Sequence, residues 1–164
     1  MEIKSPAVWG AVVFAVSAFL LTGMGWYKVH KNVAADPRYA ALMGKEFTTT
    51  TDLVLMKFKD DRETICLYPF GSSSEVPDKK DLKEKFPFDY YGNTILGILP
   101  AQSVFKLVDA AEEGTKTLSS IHYRAIISKS GNPQFVGWRI DPTGIAEVVP
   151  FPEVPKFQPK YAHE

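Results

Sequence analysis

Cysteine is nearly absent from this 164-residue chain. Cys66 stands alone, which excludes an intramolecular disulfide framework and a four-cysteine zinc site. Net charge is absent as well: 19 basic and 19 acidic side chains cancel. A nucleic-acid interface needs a clustered basic excess, and none is present. Histidines number three. The chain shows no glycine-rich phosphate loop, no metal-ligand spacing and no Ser/His/Asp arrangement, and neither Asp60-Asp61 nor Glu112-Glu113 has the spacing of a calcium loop. These gaps predict a protein that is not an enzyme and that carries no cofactor, metal or small-molecule substrate.

Charge is also missing locally. Residues 5–27 contain no charged side chain, and Ala7–Tyr27 contains no Asn, Gln or His either. About 20 such residues, rising 1.5 Å each, cross a hydrocarbon core about 30 Å thick. Ser5-Pro6 supplies a capping hydroxyl and a first-turn proline, while Trp9 and Trp26-Tyr27 suit the two interfacial belts. The sequence therefore predicts a single transmembrane helix within residues 1–28, longer than the apolar core of a cleaved signal peptide. Ala11, Ala15, Ala18, Thr22 and Gly25 step by four and three along one face, a small-residue seam suited to packing on another membrane helix. Lacking histidine and carboxylate, the span is a poor ligand for metal, haem or pigment. Lys28, Lys31, Arg38 and Lys45 follow it and only Lys4 precedes it, which favours a cytoplasmic C-terminal domain in a bacterial inner membrane.

Residues 29–44 form a linker in which Asp36-Pro37 opens a helical turn over Arg38–Met43, with Tyr39, Leu42 and Met43 free to lie on the membrane. From 45 to 149 the pattern is β. Strands are expected at 48–51, 53–58, 64–68, 95–99, 104–109, 121–128, 134–140 and 145–149, with a polar loop at 69–92 and turns at Gly131-Asn132-Pro133 and Asp141-Pro142-Thr143-Gly144. Short strands at this spacing predict a small barrel or sandwich. Residues 150–164 carry four prolines, so the tail is extended, with Phe151, Val154, Phe157 and Tyr161 as anchors for a partner surface. Cys66 lies between Ile65 and Leu67, where a lone cysteine is a buried small hydrophobe, and His122 faces solvent on its strand. His30 sits at the membrane interface.

The run Gly97-Ile-Leu-Pro-Ala-Gln-Ser-Val-Phe-Lys-Leu-Val108, with Tyr123-Arg-Ala-Ile-Ile127 and Val136-Gly-Trp-Arg-Ile140, resembles a bacterial SH3-like barrel. That resemblance implies a glycine-led turn into an alternating strand and a Gly-Trp pair closing the barrel. The layout of helix, small barrel and extended segments is similar to the single-span subunit of bacterial photosynthetic reaction centres. The implied function is a non-catalytic accessory subunit of a large bacterial membrane complex, photosynthetic first and respiratory second. The alternative is a membrane-anchored periplasmic SH3-like module that grips cell-wall material.

Overall fold

The computed structural model describes residues 28–115, 119–149 and 153–164. Among them only one α-helix forms, a single turn α1 (Pro37–Ala40), and no helix is long and apolar enough to cross a membrane. The proposed span and its seam residues Ala11, Ala15, Ala18, Thr22 and Gly25 lie outside the described residues. The single-pass inner-membrane assignment is accordingly not carried forward. Nor is the reaction-centre likeness, which rested on that layout.

The expected SH3-like barrel is replaced by two antiparallel sheets. The first contains β1 (Lys28–Asn32), β2 (Glu46–Thr49), β7 (Val104–Thr115), β8 (Ser119–Lys129), β9 (Arg139–Ile140) and β10 (Ala162–His163), in the order β10-β2-β7-β8-β9 with β1 also on β7. The second runs β4-β3-β6-β5, from β3 (Leu53–Phe58), β4 (Asp61–Tyr68), β5 (Phe88–Tyr90) and β6 (Asn93–Leu99). The departure has three causes. Lys28–Asn32, expected as the end of the membrane helix and the start of the linker, pairs with the distal end of β7, Lys28 opposite Thr115 and Asn32 opposite Ala111. The polar excursion contributes β5, which closes the second sheet against β6. And residues 133–140 form a strand only at their end, because Asn132 caps a 3-10 turn at Pro133–Phe135 that turns Phe135 into the core.

Core placement follows the alternation of side chains along strands. In β6 and β8 buried and partly exposed residues alternate. Leu53, Val54, Leu55 and Met56 of β3 are instead all fully buried. One face joins the main core with Leu67, Leu99, Phe105, Leu107, Tyr123 and Ile127; the other packs with Val76, Phe88 and Ile95 beneath the excursion. A strand covered on both faces reads as a continuous apolar run, as this one does.

Tyr39 is fully buried and Leu42 and Met43 pack against the core, so these side chains belong to the domain and not to a membrane surface. Asp36 caps α1 by accepting from the Arg38 amide at 3.0 Å, with Pro37 at the first position. The tail is part of the same fold. Phe157 packs on Phe47, Phe105 and Tyr123, with ring centroids 4.7, 5.4 and 5.6 Å away. Ala162 pairs with Thr49, and Tyr123 Oη donates to the Pro155 carbonyl at 2.8 Å. Val154, Phe157 and Tyr161, expected as partner contacts, therefore rest on their own core; Phe151 lies outside the described residues.

Candidate functional site

Asp141, at the end of β9, joins the two sheets. Its amide donates to the Ile65 carbonyl at 2.7 Å and its carbonyl accepts from the Leu67 amide at 2.9 Å, so one residue after the first sheet bonds to β4 of the second on both sides of Cys66. The side chain is only 6% exposed. A buried carboxylate must be matched by donors, and this one has several. Oδ2 accepts from His122 Nδ1 at 2.9 Å and from Arg124 Nη1 at 3.0 Å. Oδ1 accepts from the Thr143 amide at 2.9 Å and from the Thr143 hydroxyl. Asp-Pro-Thr-Gly is thus more than the expected turn: Pro142 starts a 3-10 turn and Thr143 folds back on the carboxylate.

Ser120, His122 and Arg124 alternate on β8, so all three project from the face opposite Ile121, Tyr123 and Ala125, which are buried. Ser120 Oγ lies 3.1 Å from His122 Nε2. Arg124 Nη2 donates to Glu113 at 2.6 Å, and Glu113 in turn lies 3.4 Å from His30 Nδ1. The result is a continuous polar chain on the outer face of the first sheet. Beside it opens a cleft of about 360 Å³, walled on the other side by Phe58, Cys66 and Tyr68. The hydrogen bond to Asp141 holds the His122 imidazole above its ordinary pKa, against the opposing effect of burial. Burial pushes the Cys66 thiol up to about 12, which removes it as a nucleophile at neutral pH.

The structure corrects two sequence readings here. His122 does not simply face solvent, and a Ser/His/Asp arrangement is present. Sequence reasoning missed Ser120, Arg124, Asp141 and Thr143. The signal available was the spacing 120, 122, 124 on one strand face; nothing local announced that Asp141 would reach it. Asp61 accepts from the amides of Glu63 and Thr64, as a turn residue does. Among the described residues no group of three or more His, Cys, Asp or Glu is placed to hold a metal ion. The class defined so far is a two-sheet, all-β domain with a polar clasp between its sheets. No family model, curated protein or solved structure matches the chain.

Proposed function

We propose that the protein is an accessory subunit of a larger assembly and that it works by receiving an apolar segment of a partner protein. The observation that carries this reading is an open groove of about 470 Å³ between α1 and the tail, with Leu42, Phe47, Val154, Phe157 and Pro159 in its walls. Contiguous apolar surface of this kind, rimmed by polar groups, marks a contact site in a folded domain. Arg38, Lys156 and Glu164 line the same groove and give it the polar rim of a protein interface.

Ala41 and Pro159 line the groove and are exposed, so changing them leaves the core intact. A photo-crosslinking residue at position 41 is expected to capture a defined partner in source cells, and Pro159→Glu in the same chain is expected to abolish that adduct. A crosslinker at Lys129, which is exposed and does not line the groove, serves as control. An adduct at position 41 that survives Pro159→Glu, or that forms equally from position 129, refutes the groove as the contact.

A further inference from the structure

We infer that Ser120, His122 and Asp141 form a hydrolytic relay that cleaves small carboxylic esters on the outer face of β8. This activity goes beyond partner binding and does not depend on it. The geometry has the three parts such chemistry requires: a hydroxyl in hydrogen-bond reach of a base, the base oriented by a third group, and that group held in place. Ser120 Oγ is 3.1 Å from His122 Nε2, and His122 Nδ1 is 2.9 Å from Asp141 Oδ2. An ionised carboxylate only accepts, so Nδ1 carries the hydrogen and Nε2 of the neutral ring is left to accept from the Ser120 hydroxyl. Asp141 is fixed by the Thr143 amide and hydroxyl and by its own main-chain bonds to β4. Arg124 shares Oδ2, yet its other terminal nitrogen binds Glu113 at 2.6 Å, so a second carboxylate offsets the guanidinium charge.

A donor for the developing oxyanion comes from the strand itself. The amides of Tyr123 and Ile127 point away from β7, to Thr143 Oγ1 and the Trp138 carbonyl. Ile121 has the same parity, and β9 pairs only with Ala125 and Ile126. The Ile121 amide, next in the chain after Ser120, therefore also points away from β7, beyond the two residues of β8 that β9 pairs. The amide following the nucleophile is a recurrent oxyanion donor. One donor suits an ester, whose alkoxide leaves more readily than an amine. The cleft that His122 and Asp141 line, with Phe58, Tyr68 and Val148 also on its walls, suits a short apolar acyl or alcohol group.

In the reaction Ser120 Oγ forms a bond to the ester carbonyl carbon as its proton passes to Nε2, and the carbonyl π pair moves onto oxygen opposite the Ile121 amide. Collapse breaks the bond to the alkoxy oxygen, which takes the proton from Nε2 and departs as the alcohol. Water then repeats the sequence on acyl-Ser120: Nε2 takes its proton, the carboxylic acid leaves, and the serine recovers its hydrogen. His122 must be neutral to begin, so the rate rises with pH through its pKa, which Asp141 raises. The groups facing the imidazole are Asp141 and Thr143 after β9, Arg124 and Ser120 on β8, Glu113 on β7, and Asp61, Cys66 and Tyr68 on β4.

The test uses the full chain with p-nitrophenyl acetate and a fluorophosphonate probe. The expected result is one covalent adduct, mapped to Ser120, with hydrolysis lost in Ser120→Ala and lowered roughly 100-fold in His122→Gln. Ser119→Ala, whose hydroxyl binds Glu112, keeps both labelling and rate. Ser120 is exposed, so its variant folds as the parent does, and a thermal melt of each variant verifies this. Absence of a Ser120 adduct, or wild-type hydrolysis by Ser120→Ala, overturns the inference.

Discussion

Phe157→Ala tests whether the C-terminal strap is part of the fold. Truncating a fully buried phenylalanine costs about 3–5 kcal/mol. Phe157 is half-buried, which lowers the figure, but its ring contacts Phe47, Phe105 and Tyr123 within 5.6 Å, and such aromatic pairs add about 0.5–1.5 kcal/mol beyond area alone. A loss of about 2–3 kcal/mol is expected. For a domain of this size that is a fall in Tm of about 6–12 °C. The strap backbone should remain in place, since Glu147 donates to the Lys156 carbonyl at 2.8 Å and Gln158 to Ile145 at 3.0 Å without using the ring. Urea unfolding of the full chain, parent against variant, gives the difference directly, provided the slope with denaturant is unchanged. Phe157→Leu should lose roughly half as much, because it restores apolar volume without the ring edges. A loss below about 0.5 kcal/mol for Phe157→Ala would place it among ordinary surface changes and refute the strap as a core element.

Much of the interior was legible from pattern alone. Asn93–Leu99 and Ile121–Ile127 alternate as half-buried strands must, and the unbroken run Leu53–Met56 is apolar because it is covered twice. What escaped depends on distant pairing. Lys28–Asn32 is polar and short, and it becomes a strand only because the β7–β8 hairpin extends past β2 and offers Ala111–Thr115 as a partner. Ala162–His163 is recruited by β2 from the opposite end of the chain, with Thr50 donating to the Lys160 carbonyl at 2.6 Å. Proline at 150, 152, 155 and 159 led to the expectation of an extended tail offered to a partner, but a tail of this kind can bind its own domain as readily as another, and residues 153–164 do so. At the candidate site the spacing Ser120, His122, Arg124 was readable, whereas Asp141 joins them only because β9 pairs with β8, Ile140 opposite Ala125, and so brings the next residue beside Arg124.

The remaining predictions concern the seam between the sheets. In Gly144→Ala the new Cβ would stand 2.5 Å from the Leu67 carbonyl oxygen and 2.7 Å from the Tyr68 ring, so about 1–3 kcal/mol of stability should be lost on urea unfolding; a neutral variant would mean that β4 is not seated against this turn. Asp141→Ala removes the acceptor shared by His122 and Arg124, so that the imidazole and the guanidinium, both partly buried, each lose a hydrogen bond, for a loss of about 2–3 kcal/mol after allowance for their partial exposure. Should this variant melt with the parent, Asp141 would not be the clasp. The last prediction is the pH dependence of that clasp. Hydrogen bonding to Asp141 raises the folded-state pKa of His122 above its ordinary 6.5, so the folded state holds that proton more tightly than the unfolded chain. The contribution is therefore fully present below about 6.5 and is lost as pH rises through the raised value, opposite in sign to a carboxylate with a depressed pKa. Unfolding free energies of the parent and of His122→Gln, measured at intervals from about pH 5 to 9, should differ most at the acid end and converge at the alkaline end. Parallel curves, with a constant offset across the range, would show that the imidazole gains nothing from Asp141 as a cation.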